Sequence, residues 1–323
     1  MRGYFQEMMI VWLAWEFVES PRDLRILLQA FLAGSWVLAL LTIADFRSAE
    51  AIAAEQFRFA AYGQDPNDVA RFLDLTFPAA ALLATSGGRK LERILALGYL
   101  PVGLVAVILT ASRGGFIAAA VALIGCGTIL LRGRVRTAIG AIFALPALAG
   151  ALWLTIPSKT FERLATIPQE LSAGDLNQRL SIWSAGWEAF MRAPWFGSGA
   201  GTFVTAAGLS PIDTAHNTAL SLVVGGGLIA LFIAVTIVVW AVHLVFQTRG
   251  KLRVALVVFL LVWIVASLVG TVEENRTTWL LFAIIAVANR IANKNPAGMN
   301  ACFPDPRPWS ETPEISCNSV RVH

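Results

Sequence analysis

Long apolar runs separated by short polar or basic clusters make up most of the chain. A helix that crosses a bilayer needs roughly 20 mostly apolar residues. Runs at about 24–44, 69–86, 92–111, 113–131, 137–156, 217–242, 254–272 and 277–292 are close to or above that length. A ninth run, at about 5–19, is shorter and carries Glu7 and Glu16. It reads as an interfacial helix or as the remnant of a longer span. It does not read as a signal peptide, because no small-residue cleavage site follows an uninterrupted apolar core. The pattern predicts an all-α polytopic membrane protein with about 8–9 transmembrane helices.

The polar clusters predict orientation. Arg22/Arg25, Arg89/Lys90/Arg93, Arg132/Arg134/Arg136 and Arg249/Lys251/Arg253 recur at every second connection. Arg290, Lys294, Arg307 and Arg321 follow the last run, so this side holds more than half of the 25 Lys and Arg. Basic residues close to span ends favour the cytoplasm. The expected organisation is a transmembrane bundle over 1–156, a long periplasmic loop over 157–216 containing an amphipathic helix, C-terminal transmembrane helices over 217–292, and a disordered cytoplasmic tail over 293–323. Composition agrees with that organisation: 57% of residues are hydrophobic and only 14% charged. A soluble chain with so few charges could not cover its surface. The net charge of +4 is read as orientation signal, so no nucleic-acid partner is expected. Three cysteines, Cys126 in an apolar run and Cys302 and Cys317 towards the end, predict no structural disulfide.

The long loop holds most of the candidate chemistry. Asp175-Leu-Asn-Gln178 looks like a helix cap. Arg179, Trp183, Gly186, Trp187 and Phe190 then share one helical face, and Pro194 ends the helix. One arginine beside aromatics suits a sugar next to an anion; an interfacial aromatic belt is the plainer reading. Pro194-Trp-Phe-Gly197-Ser-Gly199-Ala-Gly201 follows, without the Lys-Ser/Thr of a phosphate loop. Then comes Ala215-His216-Asn217-Thr218, where His216 is the one imidazole expected outside. It is either a general base or a helix cap. Arg113, in Ser112-Arg113-Gly-Gly115, sits in a tight hairpin and either snorkels or meets an anion. Arg276 and Asn67 lie at two further outside turns, the latter also explicable as a Pro/Asn turn. No metal-ligating set occurs and no cofactor is expected.

Several of these stretches resemble the O-antigen ligase and polysaccharide polymerase superfamily. They are Asp65-Pro-Asn-Asp-Val-Ala70, Leu109-Thr-Ala-Ser-Arg113-Gly-Gly, Arg179-Leu-Ser-Ile-Trp183, the Pro194–Phe203 stretch, and Ala215-His216-Asn217-Thr-Ala-Leu220-Ser with Gly227-Leu228 beyond it. The resemblance covers about residues 60–292 and implies a membrane-embedded glycosyltransferase of the bacterial inner membrane that needs no metal. Its donor would be an undecaprenyl-diphosphate-linked glycan on the periplasmic face, and its acceptor lipid A–core or another glycan. The resemblance makes Arg113 and Arg179 donor-diphosphate residues and His216 the base, with Asn217, Trp183, Arg276 and Asn67 as substrate-binding residues.

Two departures from the family pattern stand out. Gly225 occupies the place, nine residues after the histidine, where family members commonly carry a glutamate, which leaves Glu273 or Glu274 as substitutes. The stretch Trp12–Pro21 resembles the end of an internal span, so the chain is expected to be truncated at its start relative to the family. The alternatives are a carrier for a small anion or glycan, and an inactive remnant. A carrier needs ionisable residues near the bilayer midplane, and the clear apolar runs hold almost none.

Overall fold

The computed structural model describes residues 2–48, 58–61, 63–131, 158–172, 179–211 and 213–304, and among them every regular element is a helix. The long helices are α1 (Arg2–Phe17), α2 (Pro21–Ser48), α3 (Pro66–Thr85), α4 (Lys90–Leu109) and α5 (Arg113–Leu131). Short helices α6 (Ser158–Ala165) and α7 (Ile167–Ser172) follow, then α8 (Arg179–Arg192) and α9 (Phe203–Ala207). The chain continues with α10 (Thr218–Gln247), α11 (Gly250–Val269), α12 (Arg276–Lys294) and α13 (Pro296–Cys302). The expected run at 137–156, the Asp175–Gln178 cap, the Arg132/Arg134/Arg136 cluster and residues 305–323 of the tail lie outside the described residues.

Among the described residues, five helices are long and apolar enough to cross a membrane: α2, α4, α5, α10 and α11. This is fewer than the eight or nine expected, and burial explains part of the difference. Helix α3 carries Asp68, Arg71 and Asp74, but 14 of its 20 residues are buried against neighbouring helices. Helix α12, with 11 of 19 residues buried, is similarly polar. Helix α10 buries only 7 of 30 residues and is apolar almost throughout. Apolar side chains are needed where a helix meets lipid, whereas a helix enclosed by protein can carry polar groups.

Helix α3 is the hub of the bundle, packed by α2, α4, α5 and α11. Phe77 and Tyr99 meet across the α3–α4 contact with ring centroids 5.6 Å apart, and the Tyr99 hydroxyl donates to the Leu73 carbonyl at 2.9 Å. Helix α1 runs alongside α12 in the same direction, since Gln6 lies by Arg276 while the Arg290 guanidinium stacks 4.2 Å above Trp15 and donates to the Val18 carbonyl.

Antiparallel hairpins put the ends of α4 and α11 beside the starts of α3, α5, α10 and α12. At the opposite end, basic residues read as orientation signals also do structural work. Arg25, only 7% exposed, forms a 2.8 Å ion pair with Glu92 and donates to the Ser86 and Cys302 carbonyls. Buried Lys251 donates to the Thr85 carbonyl. Both cations thus serve carbonyls at the C-terminus of α3, where the helix leaves acceptors unpaired and its dipole is negative. Contrary to expectation, Cys302 is disulfide-bonded, with its partner outside the described residues.

Helix α10 breaks at Gly227, whose φ is +65°. A break strands backbone groups that cannot find water inside an apolar bundle. The glycine-rich stretch supplies them. Ser198 and Gly199 amides donate to the Val224 and Gly225 carbonyls, each at 2.8 Å, and the Pro194 carbonyl accepts from the Leu228 amide at 2.8 Å. This is backbone-on-backbone packing. A Cβ on Gly197 would lie 2.5 Å from the Gly225 carbonyl, and one on Gly227 would collide with the Trp195 carbonyl. Gly227→Ala should therefore lower the melting temperature of the membrane-extracted protein, because its φ +65°, ψ −160° backbone is essentially reserved for glycine and costs another residue about 1–3 kcal/mol, and the collision adds to it. Gly34→Ala, with nothing within 4 Å of its Cβ, should leave that temperature unchanged or raise it. Thermal unfolding followed by size-exclusion chromatography checks both.

Candidate functional site

At the end of the bundle away from Arg25, a cavity of about 410 Å³ opens between α3, α5, α8, α11 and the turn before α10. Its walls include Asn67, Arg113, Arg179, Trp183 and His216, which come from four separate stretches of sequence. Arg58, Arg71 and Arg163 complete a ring of five arginines with Arg113 and Arg179.

The Ser112-Arg113-Gly-Gly115 hairpin is held from three sides. Ser112 opens α5: its carbonyl accepts from the Phe116 amide and its hydroxyl from the Gly115 amide. Gly114 and Gly115 let this end approach closely. A Cβ on either would lie 2.5–2.6 Å from Ala70 of α3 or Val269 of α11. Ala111 is left-handed at φ +48°, a conformation that costs a non-glycine residue about 1–2 kcal/mol. Two guanidiniums then link the hairpin to α6, since Arg113 Nε donates to the Arg163 carbonyl and Arg163 Nε to the Ala111 carbonyl.

Asn67 organises the opposite wall. Its Oδ1 accepts from Arg58 Nη2 and from the Ser112 hydroxyl, both at 2.9 Å. Asp65 caps α3 and accepts from the Asn67 amide at 2.7 Å. Arg71, one turn after Asn67, pairs with Asp68 at 2.7 Å and reaches the Thr271 carbonyl.

Helix α8 lies across the cavity. Ile182, Gly186, Ala189 and Phe190 bury against α9 and α10, while Arg179 and Trp183 turn into the cavity. Trp187 shares the face expected from sequence but is 57% exposed, so only one end of that face looks inward. Trp183 Nε1 donates to the Ala215 carbonyl at 2.9 Å and holds the next turn, in which His216 is also left-handed at φ +48°.

Two candidates stand elsewhere. The Asn217 side chain caps α10 by accepting from the Leu220 amide, and it donates to the Leu268 carbonyl. These structural bonds account for its position without a substrate. Arg276 faces Gln6 of α1 and does not line the cavity. Arg58, Arg71 and Arg163 were missed from sequence. Arg71 had a signal, the i, i+4 spacing that puts it on the Asn67 face of α3. Arg58 and Arg163 had none, since only the fold brings them near.

The electrostatics are one-sided. Among the described residues, Asp65 is the one carboxylate lining the cavity, against five guanidiniums. Burial, then Arg71 and Arg113, push the Arg179 pKa down from its ordinary value. Among the described residues Arg179 has no hydrogen-bond or ion-pair partner. His216 is also pushed down, first by burial and then by Arg179 and Arg71, with Asp65 and Asp213 opposing. The repulsion comes from those two arginines; Arg113 is not among its causes. A ring of half-buried cations repelling one another is stabilised by an anion, and guanidiniums offer phosphate bidentate hydrogen bonds.

The lowered pKa fixes the sign of the pH response. The folded protein disfavours the imidazolium, so His216 does not affect stability above its ordinary pKa of 6.5 and reduces it as pH falls below that value. In ¹³C-histidine NMR with His243 and His323 replaced for assignment, His216 should titrate below 6.5. Arg179→Gln should move that midpoint upward.

A family model described as O-Antigen ligase matches residues 99–235 of this chain, from α4 into α10. No curated protein matches it. The matched segment contains Arg113, Arg179, Trp183 and His216, but neither Asn67 and Arg71 nor Glu273 and Arg276.

Proposed function

We infer, from the match that supports membership of the O-antigen ligase superfamily, that this chain is a membrane glycosyltransferase of ligase or polymerase type. The donor is a glycan on a lipid diphosphate, undecaprenyl diphosphate in a bacterial inner membrane. The acceptor is a hydroxyl of lipid A–core or of another glycan. The site works on the periplasmic face, opposite the basic clusters around Arg25, Arg89–Arg93 and Arg249–Arg253. One observation carries the reading: Arg113, Arg179 and His216, remote in sequence, line one cavity with an excess of guanidiniums.

The geometry suits that chemistry. The acceptor oxygen attacks the anomeric carbon, the bond from that carbon to the diphosphate oxygen breaks, and the electron pair leaves with the lipid diphosphate. Charge grows on the leaving oxygens, and Arg113, Arg179 and Arg71, fixed along the cavity wall, stabilise it with little reorganisation. The acceptor proton passes to His216, which burial and two arginines keep neutral and competent at pH 7. Asn67 acts by positioning Arg58 and Ser112, and Trp183 by holding the turn that carries His216 while offering an aromatic edge to the sugar. Direct displacement inverts the anomeric centre.

One observation favours a carrier. Asp74, in the middle of α3, is fully buried, and among the described residues neither of its carboxylate oxygens has a hydrogen-bond partner. An ionisable residue inside a membrane bundle is a feature of transport pathways.

In a strain whose only copy carries His216→Ala, the protein should reach normal membrane levels, while glycan transfer falls about 10²–10⁴-fold and lipid-linked donor accumulates. Normal glycan at normal protein levels would remove His216 from the mechanism. Asp74→Asn should leave the glycan profile intact; loss of donor or glycan movement without loss of transfer in vesicles would favour the carrier instead.

A further inference from the structure

A second cavity, of about 450 Å³, lies on the other side of α10 from the arginine ring. Helices α10 and α12 form its long walls, and Met8 of α1 and Trp263 of α11 contribute to it. Its floor is made by α10 residues on both sides of the Gly227 break: Leu222 and Gly226 before it, and Ala230, Ala234 and Val238, one turn apart, after it. Opposite stand Trp279 and Phe282. The crevice is therefore apolar along its length and bounded by aromatic rings.

Its end near the arginine cavity is different. Glu273 and Glu274 line it there with Thr218 and Ser221, and among the described residues no Lys, Arg or His lines the crevice. Glu273 is only 9% exposed, and among the described residues its Oε2 has no hydrogen-bond partner. The surrounding turn is firmly built: Trp279 Nε1 donates to the Glu273 carbonyl at 2.9 Å, and the Thr278 hydroxyl to the Val272 carbonyl at 2.7 Å. Burial raises the Glu273 pKa, hydrogen bonding from the Ser221 hydroxyl and the Glu273 backbone opposes the rise, Glu274 adds to it, and the Val272 backbone opposes it in turn. A buried carboxylate oxygen without a donor is costly, and a ligand hydroxyl seated at this end would supply one.

We propose that this crevice is a binding site for an amphiphile with an uncharged, hydroxyl-rich head, its apolar chain along the small residues of α10 and a head-group hydroxyl donating to Glu273. Charge complementarity selects the head. A phosphate would face Glu273 and Glu274 with no cation lining the crevice, so anionic lipids belong to the arginine cavity. The two sites share a thin wall. His216 lines one and Thr218 the other, and the Thr218 hydroxyl ties α10 to the Gly270 carbonyl at 2.8 Å. The assignment does not depend on glycosyl transfer.

The test uses the full chain in phosphatidylcholine nanodiscs and a diazirine-bearing alkyl glucoside, with labelled peptides mapped by mass spectrometry. Label should fall on 230–238 and 279–282. Excess dodecyl glucoside should remove it and dodecyl phosphate should not. Glu273→Leu should reduce labelling about tenfold, as loss of a hydrogen bond to a charged acceptor does. Ala234→Trp, which fills the floor, should abolish it. Arg179→Gln, which disables the proposed transfer reaction, should leave it intact, so the two readings fail separately. Equal competition by dodecyl phosphate, as for a groove that takes bulk lipid, overturns the proposal. So does label elsewhere, or copy-to-copy crosslinks through 230–238. The competition is read on the unaltered protein, so it decides even if a variant does not fold.

Discussion

A backbone amide or carbonyl stranded inside an apolar bundle has no water to turn to, and most of the candidate site follows from how this chain meets that constraint. Helix α10 is broken at Gly227, and the glycine-rich stretch closes its open hydrogen bonds with main-chain groups. That docking fixes Pro194 and the end of α8. Helix α8 in turn presents Arg179 and Trp183, and Trp183 holds the left-handed turn at His216. A motif that superficially resembles a phosphate loop is thus a structural plug, and the arginine-lined cavity lies one helix away.

The second organising force is repulsion. Arginines from α3, α5, α6 and α8 and from the segment before α3 are gathered in one partly buried space, and burial with mutual repulsion depresses Arg179. Carbonyl acceptors absorb part of the difficulty, as the bonds from Arg113 to the Arg163 carbonyl and from Arg163 to the Ala111 carbonyl show. Asn67 does the same for Arg58. The carboxylates that might have neutralised the ring, Glu273 and Glu274, are instead placed across the α10–α11 contact in a separate crevice. Opposite charges kept apart in neighbouring cavities give the protein two environments of different selectivity within a short distance.

What could be read from sequence was local. The lengths of the apolar runs predicted helical class, and the 3.6-residue period placed Arg179 and Trp183 on one face of a helix that the structure contains. The Ser112–Gly115 hairpin was legible because an arginine and two glycines between apolar runs leave the chain little to do but turn. The rest depended on tertiary context. Nothing local distinguishes α3 and α12 as enclosed helices, so their polar residues read as weak spans. Arg25 looked like a topological charge because its partners, Glu92 and two carbonyls, are 61 or more positions away. Asn217 looked functional because a helix cap and a substrate ligand want the same side chain at the same place.

The docked stretch between Pro194 and Gly201 has an evolutionary corollary. Its grip on α10 is made by main-chain atoms and by the absence of side chains at its glycines, so the intervening side chains have little part in it. Trp195 and Phe196 are 65% and 77% exposed, and Ser198 and Ala200 are exposed as well. Those four positions can drift without disturbing the kink they flank. A lineage adapting to a new bilayer or a bulkier neighbouring molecule has a rigidly mounted rim to rewrite there, independent of the arginines behind it.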